Sequence, residues 1–251
     1  MIFLSEKKQK WFPLSNSFKF SVILSASVII LSALFYPFLP LTEYIPLPTL
    51  SEAQMQKVVI IDPGHGGVDS GAVSVTGREE KDLNLELAKK LGAFLEAGGA
   101  RVIYTRTEDT LLFSDRGSTR KTKDLLGRVE IADQYPDALY ISLHMNTLLS
   151  EKYRGLQTFY SSRNSASQDL AQEIQSAVCT LLQPENNRKA KDAKGNIFIL
   201  DRIEQPAVLI ECGFLTNNEE ARLLEDDLYQ RKLAFGISRP ILDFLTDSEE
   251  N

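Results

Sequence analysis

Histidine is scarce in this chain: 251 residues carry two, His65 and His144. Cysteine is equally scarce, and Cys179 and Cys212 are too few for a disulfide framework. The first falls in a helical pattern and the second in a strand, so both read as small buried residues rather than a bonded pair. No strongly basic stretch occurs beyond the N-terminus and the formal net charge is −6, which argues against nucleic acid as a partner. There is no internal repeat. Charge itself is missing from residues 20–42.

That charge-free run is rich in Ile, Leu, Val and Phe and follows Lys7, Lys8, Lys10 and Lys19. At about 1.5 Å per residue it is long enough to cross a bilayer as a helix. Lysines before it and none just after it put residues 1–19 in the cytoplasm and the rest outside. A cleaved signal peptide is the competing reading. The run is long for one, and no small-x-small cleavage site follows it. A buried core helix is disfavoured by Pro37 and Pro40. Residues 43–56, with Pro46 and Pro48 and few apolar anchors, read as a linker. A domain over 57–246 and a tail over 247–251 complete the division. The hydrophobic fraction of 43% and charged fraction of 25% suit a globular domain.

Within the domain, three apolar runs end in chemistry. Val58-Val59-Ile60-Ile61 leads into Asp62-Pro63-Gly64-His65-Gly66-Gly67. Ala138-Leu139-Tyr140-Ile141-Ser142-Leu143 leads into His144-Met145-Asn146, and Ala207-Val208-Leu209-Ile210 into Glu211-Cys212-Gly213-Phe214. Short β-branched runs closed by turn residues read as buried strands. Leu83, Leu87, Leu91 and Phe94 mark a helix from Glu80, ended by Gly98-Gly99. Further strands are expected at Arg101–Thr105, Gly155–Tyr160 and Ile197–Leu200. Further helices are expected near Asp124–Gln134, through Leu170, Ile174, Ala177, Val178 and Leu181, and as a pair from Asn217 to about Leu245. Residues 68–79, 106–122 and 183–195 read as loops. Alternating strands and helices predict a three-layer α/β/α domain.

A lone histidine is more often a satisfied core residue than a ligand. Two histidines, each closing a core strand, reverse that preference, because ligands bind at strand carboxyl ends in α/β sheets. Catalytic zinc takes three protein ligands and a water. With His65 and His144 as two, the third must be a carboxylate, and Glu80 at the start of the first helix is the best placed. Any acid in a first helical turn also stabilises the helix dipole, so that reading of Glu80 stays open. Glu211 follows four apolar residues, and desolvation there would raise its pKa toward the range useful for proton transfer. A salt bridge to a nearby cation is the alternative.

Asp62-Pro63-Gly64-His65-Gly66-Gly67, Glu80-Lys81, Ser142-Leu143-His144-Met145-Asn146 and Ile210-Glu211-Cys212-Gly213-Phe214 resemble, in order, the motifs of the zinc-dependent N-acetylmuramoyl-L-alanine amidases. The resemblance implies His65, Glu80 and His144 as zinc ligands, Glu211 as the catalytic carboxylate and a mixed, roughly six-stranded sheet flanked by helices. It implies peptidoglycan as substrate, cut between the lactyl group of muramic acid and L-alanine. Asn146 is the candidate for binding the peptide or an oxyanion. Within the family, the likeness is strongest to the membrane-anchored amidases of spore-forming bacteria. It rests on Arg154-Gly155-Leu156-Gln157-Thr158-Phe159-Tyr160, Pro206 to Glu211 and Glu219-Glu220-Ala221-Arg222-Leu223-Leu224. That implies work on spore-cortex peptidoglycan before muramic lactam is made, from the outer side of the cytoplasmic membrane. Thr147 stands where the family often has Ala or Ser, and Cys212 at a position that varies. A zinc carboxypeptidase on the stem peptide and a non-catalytic peptidoglycan-binding regulator are the alternatives. An activating protein partner is left open.

Overall fold

The computed structural model describes residues 57–247. The expected anchor over 20–42 and linker over 43–56 lie outside the described residues. No helix among those described is long and apolar enough to cross a membrane.

The strands are β1 (Val58–Pro63), β2 (Arg101–Tyr104), β3 (Leu139–Asn146), β4 (Gln157–Tyr160), β5 (Lys191–Asp192) and β6 (Ala207–Phe214). They form one mixed sheet in the order β2-β1-β3-β6-β4-β5, in which only the β4–β6 pair is antiparallel. The helices are α1 (Glu80–Ala97), α2 (Arg120–Asp133), α3 (Ala166–Leu182), α4 (Asn218–Glu225) and α5 (Asp227–Asp247).

Strand side chains alternate between the two faces. Val59, Ile61, Ile141, Leu143, Val208 and Ile210 therefore point to one side, where they pack against Leu87 and Leu91 of α1, Ile174 of α3 and Leu233 and Ile237 of α5. Ile60, Tyr140, Ala207 and Leu209 point to the other, against Val129 and Ala132 of α2 and against Ile199, Leu200 and Ile203. A strand buried on both faces must be apolar almost throughout, which is why β1 reads as an unbroken β-branched run. The chain leaves β1 through α1 to β2 on one side, then crosses through α2 to β3 on the other side of β1. The crevice where that order reverses opens at the carboxyl ends of β1 and β3.

Three expectations need correction. Ile197–Leu200 is a turn, not a strand: Asp201 and Ile203 donate their backbone N–H to the carbonyls of Ile197 and Ile199. Its apolar residues are a plug for the second core, so their burial comes without sheet pairing. The sixth strand lies instead at Lys191–Asp192, inside the segment expected as a loop, and pairs with Phe159 and Tyr160. Its polar composition is that of an edge strand, where charge blocks further pairing. Finally, α2 begins at Arg120, with Thr119 accepting from the Thr122 N–H at 3.1 Å as its N-cap.

Candidate metal centre and catalytic carboxylate

The same alternation that makes the second core also builds the site. Along that face the apolar residues give way, toward the carboxyl ends, to Asp62 on β1, Ser142 and His144 on β3, Glu211 on β6 and Gln157 on β4. The register places Asp62 opposite Ser142, His144 opposite Glu211, and Glu211 opposite Gln157. Cys212, the next residue, turns into the first core and is buried.

His65 comes from the turn after β1, where it adopts φ 61°, in the left-handed region. Gly64 precedes it and donates its N–H to the carbonyl of Leu143 at 2.9 Å, tying the turn to β3. Glu80 begins α1 and is buried, and its carboxylate is held by three donors besides the histidines. Oε2 accepts from the Ala72 N–H at 2.9 Å, and Oε1 accepts from Met145 N–H at 3.1 Å and Asn84 Nδ2 at 3.4 Å. The same Oε1 lies 3.2 Å from His65 Nε2 and 3.0 Å from His144 Nδ1. One atom from each of the three residues falls within 4.8 Å of the others. Two imidazole nitrogens converging on a carboxylate oxygen are the donor set of a three-ligand zinc site with room for water. His65 Nδ1 lies 3.0 Å from Asp69 Oδ2, the carboxylate support that metal-binding histidines use on their second nitrogen.

Charge in the pocket follows from these neighbours. Burial alone would raise the Glu80 pKa, but the hydrogen bonds and charges of His144 and His65 outweigh it and hold the carboxyl far below its usual range. Burial would lower the His65 pKa, and Glu80 and Asp69 outweigh it and raise it. Glu211 goes the other way. Burial dominates, the two histidines oppose it, Glu80 adds to it, and the carboxyl is pushed up to about 7. Its Oε2 is shut off from solvent and has no hydrogen-bond partner. No ion pair reaches Glu211 among the described residues, which removes the salt-bridge alternative there.

The structure thus brings His65, Glu80, His144 and Glu211 together. Asn146 lies on β3 past a bulge that separates it from His144, with its carbonyl accepting from the Leu215 N–H. It is half-buried and is not among the converging residues that could hold a metal. Sequence reasoning missed Asn84, Asp69 and a buried group of Asp62, Arg106, Asp124 and Arg128. The spacing of Asp124 and Arg128, four apart on a helix, was the one available signal for that group.

The family model of N-acetylmuramoyl-L-alanine amidases matches residues 59–243, and the chain belongs to that family. It is 40% identical over 195 residues to the germination-specific N-acetylmuramoyl-L-alanine amidase of Bacillus subtilis, covering 76% of this chain and 81% of that one. Among solved structures it resembles the CwlD amidase from Clostridioides difficile, determined in complex with the GerS lipoprotein. The TM-score is 0.71 at 37% identity, over 76% of this chain and 99% of that one. It also resembles the catalytic domain of the amidase CwlV from Bacillus (Paenibacillus) polymyxa, with a TM-score of 0.63 at 31% identity, over 76% and 98% of the two chains.

Proposed function

We propose that the chain hydrolyses the amide bond between N-acetylmuramic acid and L-alanine in peptidoglycan, with zinc held by His65, Glu80 and His144. The observation that carries the reading is the unpartnered Glu211 oxygen, one strand across from His144 and beside the three converging ligands. Zinc, when bound, supplies a Lewis acid for the carbonyl and lowers the pKa of water. Glu211 takes the proton from the attacking water and returns it to the leaving amine of L-alanine. A pKa near 7 suits a group that must do both. Asp69 and Asn84 hold His65 and Glu80 in place, and Asn146 is assigned to the peptide or the oxyanion. The likeness to the germination-specific relative supports a role in spore-cortex maturation. The relative solved with a lipoprotein supports a protein partner for this chain too. The charge-free run over 20–42 supports a membrane anchor with the domain on the outer side.

The two glutamates separate in one experiment. Glu211→Gln keeps the shape but cannot accept a proton, so it should bind zinc normally while turnover falls by roughly 10²–10⁴-fold. Glu80→Gln should lose zinc. Metal content and mass analysis of digested peptidoglycan read both. Released peptides beginning with L-alanine identify the amidase, whereas loss of a carboxyl-terminal amino acid from the stem identifies a carboxypeptidase. Zinc lost from Glu211→Gln and kept in Glu80→Gln would reverse the two roles.

A further inference from the structure

Beneath the turn that carries His65 lies a buried charged cluster with no part in the chemistry above. Arg128 and Asp62 are each 2% exposed, and Arg106 and Asp124 each 4%. Arg128 donates from Nη1 to Asp62 Oδ1 at 2.5 Å and to the Pro63 carbonyl at 2.9 Å. From Nη2 it donates to the His65 carbonyl at 2.7 Å, and from Nε to Asp124 Oδ2 at 3.0 Å. Arg106 donates from Nε to the Pro63 carbonyl at 3.0 Å and from Nη2 to the Gly64 carbonyl at 2.9 Å. Two guanidinium groups therefore hold all three carbonyls of the turn. The cluster also reaches the other histidine strand, because Asp62 Oδ2 accepts from Ser142 Oγ at 2.8 Å, two residues before His144.

Stability alone is a weak reason for such a cluster, since well-packed apolar residues often replace a buried ion pair at no loss. Its geometry points elsewhere. A non-glycine residue at φ 61° carries a strain of about 1–2 kcal/mol. Such a conformation persists only where the surroundings over-determine it. The carbonyl that Arg128 grips through Nη2 belongs to that strained residue. A relaxed turn would swing the imidazole away from Glu80 and His144.

We propose that Arg128, oriented by Asp62 and Asp124 and seconded by Arg106, is a positioning residue for the metal centre. It locks His65 in the left-handed conformation and so presents Nε2 before the metal arrives. The proposal rests on the reading of His65, Glu80 and His144 as zinc ligands. Arg128 touches neither metal nor substrate. Residues behind the ligands typically contribute 10–100-fold in metal affinity when they act this way.

The test uses the full-length chain. Zn²⁺ affinity is measured by competition with a chromophoric chelator, and the absorption spectrum of the Co²⁺-loaded protein reports ligand geometry. Arg128→Lys keeps the charge beside Asp62 but loses the fork that spans Asp62, Asp124 and the carbonyls of Pro63 and His65. Its Zn²⁺ affinity should fall about 10–100-fold, with a changed Co²⁺ spectrum. Asp124→Asn should shift both in the same direction and less far. Leu233→Ala, in the core under α5, controls for general destabilisation: it should lower Tm and leave affinity and spectrum as in wild type. Wild-type affinity in Arg128→Lys would overturn the proposal while leaving the metal centre intact. Equal loss in Leu233→Ala would also overturn it, as would failure of both Arg128→Lys and Asp124→Asn to fold. A wild-type chain that takes up neither Zn²⁺ nor Co²⁺ would overturn the metal reading itself.

Discussion

Glu211 shows how a single residue acquires its chemistry from its address. Two residues earlier on β6, Leu209 faces the second core; Glu211 itself lies between His144 and Gln157 on the flanking strands, buried near Glu80. Its pKa rises from the ordinary 4.5 to about 7. The consequence for stability has a definite sign. A group that binds its proton more tightly folded than unfolded stabilises the fold below the unfolded pKa, and that contribution is lost as pH rises through the folded pKa. The metal-free protein should therefore lose stability between about pH 4.5 and 7, by on the order of 2–3 kcal/mol from this residue. Thermal melts in chelator across that window should show the slope in wild type and a flatter one in Glu211→Gln. A wild-type profile as flat as the variant's would mean that Glu211 titrates normally.

The elements divide into those that deliver the proposed ligands and those that hold them. The turn after β1 is the tightest of the delivering parts, because a Cβ on Gly64 would overlap the His144 imidazole. Gly77 makes a useful contrast: it has φ 92° with nothing within 4 Å of an added Cβ. Gly64→Ala should fold but bind zinc at least tenfold more weakly, because one ligand is displaced bodily. Gly77→Ala should lose about 1–2 kcal/mol to backbone strain and keep wild-type zinc affinity. Melting and metal titration of the pair check this; equal zinc affinities in the two variants would contradict it. The delivering elements were legible in the sequence because a buried strand needs an apolar run, and a polar residue at its end stands out. Val58–Ile61, Ala138–Leu143 and Ala207–Ile210 all work this way, and so does the helix from Glu80 with its regular leucines. The holding elements were not legible. Arg128 lies among the charged residues Lys121, Lys123 and Glu130, and only the fold shows that its guanidinium is turned inward. Lys191–Asp192 carries no apolar signal because an edge strand needs none. Ile197–Leu200 carries the signal without the strand, because burial and pairing are separate requirements.

At the scale of the whole chain, the question is where the site meets its substrate. Residues 20–42 would cover about 35 Å as a helix, enough for a bilayer core of about 30 Å. Lys7, Lys8, Lys10 and Lys19 on one side, and none just beyond Thr42, favour retention of the N-terminus inside. If residues 43–56 are an extended linker, they reach at most about 50 Å. An anchored domain would then work only on peptidoglycan close to the membrane, where tethering raises the local concentration of enzyme on its substrate. Three results should follow together. The full-length chain should stay with the membrane fraction after a high-salt wash, which strips proteins held by charge alone. Protease added from outside should degrade the domain in cells whose outer face is exposed. A chain lacking residues 1–42 should be soluble and cut isolated peptidoglycan, yet lose activity in the cell. Recovery of the uncleaved full-length chain in the soluble fraction would rule out the anchor and, with it, the restriction of the enzyme to the membrane-proximal layer.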